Sequence, residues 1–281
     1  MTASTTATAT ATATTATQTA HPVRATLDLD GRALSYLDFG GTGRPLLALH
    51  GHLSEGSSFC ALAAALGPGW RVIAPDQRGH GDSDRASDYT RAGYVADLRA
   101  LVDHLGLDRF TLLGHSLGAV NAFHLAAELP HRVEALVNLD TAADIPRADT
   151  SPLAFVLSFP YTADSREELL SALGPAAPLL GGALRPLPGG GWRLPFHPQD
   201  TVTSENAVHG DHWQQWLAGD CPALLLHGTS SQVLGAELAA EMVARRPRTT
   251  YAALDADHFL QLRDPEGVHA AVRSFLAGAG R

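Results

Sequence analysis

The chain has 281 residues, 45% of them hydrophobic and 17% charged, which suits one globular domain with room for a subdomain. A net charge of −9 without a basic cluster argues against nucleic acid or an anionic membrane surface as partner. No apolar stretch approaches the ~18 residues of a membrane span, and the two cysteines, Cys60 and Cys221, read as buried thiols beside core elements rather than as a disulfide framework.

The first 20 residues are nearly all Thr and Ala. Without a basic n-region and an apolar h-region they form no recognisable secretion signal, so a cytoplasmic protein is expected, with secretion left open. Residues 1–22 are predicted to be a disordered tail. Ala25 to Phe39 then reads as a hairpin turning at Asp30-Gly31. Pro45 to His50 is a continuous apolar run and hence a buried strand, ending in His50-Gly51-His52. A helix is expected from about Ser57 to Leu66, and a strand over Trp70 to Pro75. The loop Asp76-Gln77-Arg78-Gly79-His80-Gly81-Asp82-Ser83 follows. Tyr94, Val95, Leu98, Leu101, Val102 and Leu105 line one face of the next helix.

Phe110 to Leu113 is another buried strand, followed by Gly114-His115-Ser116-Leu117-Gly118 and a helical apolar pattern through Ala127. A serine at such a strand-to-helix corner projects its hydroxyl, and the free N–H groups of the helix start face the reaction centre. The same five residues also read as a structural turn, but the flanking strand and helix favour catalysis. Further strands are predicted at Val133 to Leu139, ending at Asp140, at Ala223 to Leu226, and at Thr249 to Leu254, before Asp257-His258 and a closing helix from Pro265. Alternating apolar strands and helices give an α/β fold: a mostly parallel eight-stranded sheet covered on both faces. Ligands in such sheets sit beyond the carboxyl ends of the strands, where His50-Gly51-His52, Ser116, Asp140 and His258 all fall.

Residues 141–219 break the alternation with prolines, glycines and three of the four tryptophans, and are read as a mainly helical cap. The core is then 23–140 and 220–281. Leu153, Phe155, Val156, Leu157 and Phe159 form an apolar cluster in the cap, and Trp192, Phe196, Trp213 and Trp216 add aromatic surface. Packing of cap on core accounts for most of them. Leu53, Phe155, Phe159, Trp192 and Phe259 are the candidate pocket lining. His209 and His212 lack a third ligand, so no metal site is expected.

The ordered set of His50-Gly51-His52, Pro75 to Ser83, Gly114 to Gly118 and Asp257-His258-Phe259 resembles the α/β-hydrolase fold over about residues 25–278. The resemblance implies Ser116 as nucleophile, His258 as base and the backbone N–H groups of His52 and Leu117 as oxyanion hole. The His52 side chain either lines the pocket or is a spacer. In the family Arg78 and its neighbouring aspartates brace strand ends. The usual acid follows the seventh strand, but Ser231 stands there in His227-Gly228-Thr229-Ser230-Ser231, and serine cannot stabilise an imidazolium as a carboxylate can. Some branches place the acid after the sixth strand, which points to Asp140; its competing role is to cap the first turn of the cap. Asp255 and Asp257 lie too near His258 in sequence, and Glu237 belongs to a helix past the turn.

The expected activity is a Ser-His-Asp hydrolase of a carboxylic ester-like bond in a small, largely apolar substrate, with no cofactor, acting as a monomer or homodimer. A serine argues against the family's epoxide hydrolases and dehalogenases, which use a carboxylate nucleophile. The alternatives are a cofactor-free oxygenase, another non-hydrolytic enzyme of the fold, or a ligand-binding protein that kept it.

Overall fold

The computed structural model describes residues 22–279, so the predicted Thr/Ala tail lies, apart from Pro22, outside the described residues. Two strands form a hairpin, β1 (Val23–Leu29) and β2 (Arg32–Asp38). Its tight turn uses Asp30 and Gly31, both at positive φ. The other strands of the main sheet are β3 (Arg44–Leu49), β4 (Trp70–Pro75), β5 (Phe110–His115), β6 (Val133–Leu139), β7 (Ala223–Gly228) and β8 (Thr249–Leu254). The sheet order is β1-β2-β4-β3-β5-β6-β7-β8; the β1–β2 and β2–β4 pairs are antiparallel and all others parallel. Every residue of β5 and β7 is buried, the plain apolar signature of strands covered on both faces.

The helices divide between the two faces. Against one pack α1 (Cys60–Leu66) through Leu62 and the C-terminal helix (Pro265–Ala279) through Val268, Val272, Phe275 and Leu276. Against the other pack α2 (Arg91–His104), α3 (Leu117–Glu128) and the helix Ala236–Arg245. The predicted apolar face of α2 is the one it buries, except that Leu105 is its half-buried C-cap. Thr90 starts α2 by accepting the Gly93 N–H, an N-cap worth about 1 kcal/mol.

The chain leaves the sheet at Asp140 and rejoins it at β7. Between them lie α4 (Arg166–Leu173), α5 (Pro198–Val208), α6 (Trp213–Ala218) and a small three-stranded sheet that includes Trp192–Arg193. Val156, Leu169, Leu173, Leu180, Leu194, Phe196 and Val202 form a separate apolar core there, with Leu53 reaching up into it from below. Trp216 instead belongs to the main core, edge-on to Phe123 at 6.0 Å, with its indole N–H on the Met242 carbonyl. The expectation of two buried thiols is corrected: Cys60, the first residue of α1, is exposed, and Cys221 is half-buried. Only one face of α1 meets the sheet, and Leu62 rather than Cys60 occupies it. Among the described residues no helix is long and apolar enough to cross a membrane.

Candidate active site

The site is built on the corner between β5 and α3. Ser116 stands at the N-cap of α3 with φ 53° and ψ −124°, a conformation that costs a non-glycine residue about 1–3 kcal/mol. A capping serine has extended backbone and spends its oxygen on the helix; Ser116 does neither, so its hydroxyl is left for other work. The corner is tight because a Cβ at Gly118 would drive into the Leu49 carbonyl at the end of β3. On the other side a Cβ at Gly51 would lie 3.0 Å from Ser116 Cβ, which sets the His50-Gly51-His52 loop directly against the serine. The backbone N–H groups of His52 and Leu117 both lie beside that corner. Among the described residues neither donates a hydrogen bond.

The loop is held rigidly. His50 Nδ1–H donates to the Gly51 carbonyl at 2.7 Å, so Nε2 accepts the Gln77 N–H at 2.9 Å. The Gln77 side chain returns a bond to the His50 carbonyl at 2.6 Å. Burial pushes the His50 imidazole below its ordinary range, which keeps this tautomer neutral. Arg78 spends its nitrogens on Asp97, the Asp88 carbonyl and the Gly93 carbonyl, a bracing role. Asp76, fully buried, accepts from Arg24, Gly56 and Asp82.

Asp140 lies at the end of β6 with φ 57° and no exposed surface. Its backbone N–H is tied to the Leu226 carbonyl at 2.8 Å. Oδ1 accepts the Gly228 N–H at 2.8 Å; Oδ2 accepts His258 Nδ1–H at 2.8 Å and the Ser231 hydroxyl at 2.5 Å. A buried carboxylate needs such partners, and charge-assisted bonds are about twice as strong as neutral ones. The bond to Nδ1–H fixes the His258 tautomer with its lone pair on Nε2. Asn138 and Thr141, bonded to each other through the Asn138 amide, hold the turn that carries Asp140.

His258 follows β8, and its carbonyl accepts from His115 Nε2 at 2.8 Å. The two rings lie 4.7 Å apart, so the residue preceding Ser116 supports the loop that carries His258. Burial, and next the neighbouring His258 charge, depress His115 to about 3, so it remains neutral and keeps donating. Asp257 caps its own turn through the Phe259 N–H and Arg263, while Asp255 and Glu237 are exposed.

The side chain of His52 turns toward α5 of the insertion. Its Nε2 is 2.9 Å from the Ser204 hydroxyl of α5, and its Nδ1 lies 3.4 Å from Glu205 Oε2. Ser204 in turn meets the Tyr94 hydroxyl at 2.8 Å, and His209 Nε2 reaches Glu205 Oε1 at 3.2 Å. Burial holds His52 well below its ordinary pKa and raises Glu205, so this is a hydrogen-bonded cluster rather than an ion pair. No sequence signal marked Ser204 or Glu205, because α5 lies in the variable insertion. His212 pairs with His124 at 3.0 Å instead of with His209.

The candidate pocket residues separate. Leu53 is buried beside His52, and Phe259 stands edge-on to His258 at 5.8 Å with 37% exposure. Phe155, exposed, packs edge-on against Phe159 at 5.9 Å on the cap, and Trp192 is committed to the cap sheet with Arg166 above its ring. The structure therefore brings Phe259 to His258, and places Leu53 and Trp192 together in the apolar core of the insertion.

Two relatives show how far the likeness extends. A serine hydrolase-like protein of Danio rerio is 40% identical over 107 residues, 37% of this chain and only a third of that protein. A 3-hydroxybutyrate-oligomer hydrolase of Cupriavidus necator is 27% identical over 274 residues, 88% of this chain and 93% of the relative. Among solved structures, E-2-(acetamidomethylene)succinate hydrolase superposes with a TM-score of 0.79 at 24% identity, covering 92% of this chain and all of that one, which is a likeness of fold. The family model for the alpha/beta hydrolase fold matches residues 44–265, from the strand before the His50-Gly51-His52 loop to the helix after His258, and the chain belongs to that family.

Proposed function

We propose that the protein is a serine hydrolase cleaving a carboxylic ester-like bond (ester, lactone or thioester) of a small substrate through an acyl-enzyme. The observation that carries this reading is the fully buried Asp140 carboxylate bonded to His258 Nδ1, which leaves Nε2 as the basic nitrogen, on a loop whose His258 carbonyl is held by His115, the residue before Ser116. Ser116 Oγ attacks the carbonyl carbon as its proton passes to His258 Nε2. The carbonyl oxygen becomes an oxyanion received by the His52 and Leu117 N–H groups. The imidazolium, held by Asp140, gives its proton to the departing alcohol or thiol. Water then attacks the acyl-enzyme with His258 again taking the proton, and Ser116 is released with the acid product.

The relative that hydrolyses 3-hydroxybutyrate oligomers supports an ester, since oligomers of a hydroxy acid are ester-linked. The placement of Asp140 after the sixth strand also favours, as second reading, a cofactor-free oxygenase. A panel of p-nitrophenyl esters of graded chain length alongside lactones, with oxygen uptake followed in parallel and Ser116 labelling by a fluorophosphonate probe, separates the readings. Ester turnover abolished by Ser116→Ala is expected. Oxygen uptake without hydrolysis, or absence of labelling in folded protein, overturns the hydrolase reading.

A further inference from the structure

Arg91, the first residue of α2, points inward beneath the cap. Its Nη1 donates to Asn121 Oδ1 on α3, and its guanidinium lies over the Tyr94 ring at 4.7 Å. Its other two nitrogens, Nε and Nη2, are buried and meet no hydrogen-bond partner among the described residues. These form one edge of the guanidinium, with two parallel N–H donors matched to a carboxylate. The protein itself displays the match twice: Arg71 grips Asp38 by that edge, and Arg85 grips Asp200 by it.

No side-chain carboxylate of the described residues lies within ion-pairing distance of Arg91. Glu205 is near enough to feel its charge, but the two oxygens of Glu205 face His209 and His52. Arg78, which also bears on it, is positive and already engaged. Burial pulls Arg91 down to about 10, so it remains charged at neutral pH in a place where an unanswered charge is costly.

Hydrogen bonds also tie the arginine to the elements that carry Ser116 and His50. Asn121 is five residues beyond Ser116 on α3, roughly 7–8 Å along the axis. Asn121 is joined through Gln77 to His50 of the oxyanion loop, and Glu205, between Arg91 and His52, also feels the charge of His258. Resting on the hydrolase reading above, we propose that the Nε–Nη2 edge of Arg91 is a subsite for a carboxylate on the substrate, so that the preferred substrate carries a carboxylate in addition to the reacting carbonyl.

The test compares mono-p-nitrophenyl glutarate with p-nitrophenyl valerate on the whole chain. Wild type is expected to favour the acid, and Arg91→Gln to lower the acid-to-neutral ratio of kcat/KM by about tenfold or more. Arg91→Lys keeps the charge without the fork, and its ratio is expected between the two. In parallel, Ser116→Ala protein is titrated calorimetrically with monomethyl glutarate, with and without each Arg91 substitution. Saturable binding weakened by the Arg91 substitutions supports the subsite. A wild type indifferent to the carboxylate, or equal binding with and without the Arg91 substitutions, overturns it. Failure of both esters to turn over counts against the hydrolase reading alone, and the titration then decides the subsite. If Arg91→Gln does not fold, Arg91→Lys decides on the same readouts.

Discussion

The sharpest perturbation of the site is Asp140→Asn, because the hydrogen bonds around that residue dictate how the amide must sit. Oδ1 receives the Gly228 N–H, so the amide oxygen must occupy that position. The NH2 group then takes the place of Oδ2, facing His258 Nδ1 and the Ser231 hydroxyl. A donor now faces Nδ1, which must become an acceptor, and the ring proton moves to Nε2. The nitrogen meant to take the Ser116 proton is then already protonated, and the imidazolium loses its counter-charge. A wrong tautomer of this kind costs on the order of 10⁴ in turnover, about 5 kcal/mol of transition-state stabilisation. The assay is kcat/KM on whichever ester of the p-nitrophenyl panel is hydrolysed best, with far-UV circular dichroism and a thermal melt to show that the fold persists. A folded Asp140→Asn protein within about tenfold of wild type would refute the assignment of Asp140 as the acid.

Ser231→Ala removes a donor to Asp140 but leaves Gly228 and His258 in place; turnover should fall by about tenfold or less, read on the same ester, with a loss of about 1 kcal/mol in a denaturant titration. Gly118→Ala forces a methyl group into the Leu49 carbonyl and should leave little soluble protein, measured as the soluble fraction on expression. Stability should fall on acidification from pH 6.5. His80 and His115, both pushed by burial to about 3, stay neutral in the fold, whereas the unfolded chain takes up their protons near pH 6.5. The unfolded state then binds more protons, so stability is full above pH 6.5, and each residue loses roughly 2 kcal/mol by pH 5. A melting temperature unchanged between pH 7.5 and pH 5 would contradict this. For native protein, a thiol reagent in excess should modify Cys60 ahead of Cys221, followed by peptide mass spectrometry.

Much of the fold is legible because a doubly covered sheet writes itself in plain apolar runs: Pro45 to Leu49, Phe110 to Leu113 and Ala223 to Leu226 lie in strands, and the loops after them carry the polar residues. The meeting of Asp140 with His258 was legible as a possibility from chain order, since both follow strands ending on one edge. The part played by Ser231 was not. A serine at the position of the usual acid looks like a loss, and only the three-dimensional turn reveals its hydroxyl bonded to the Asp140 carboxylate. Arg91 is the first residue of α2, and no local period encodes the packing that sets its guanidinium against Asn121 and Tyr94. Trp192 and Phe155 show the same limit, because aromatic residues in an irregular segment do not announce whether they face the cap interior, solvent or ligand.

Ser204, with no exposed surface, sits on α5 of the insertion yet holds the imidazole of His52, in the loop whose Gly51 lies against Ser116. One hydroxyl therefore couples the insertion to the sheet edge: Ser204→Ala removes the partner of His52 Nε2 and of the Tyr94 hydroxyl together, while the His50–Gln77 bonds that brace the loop stay in place.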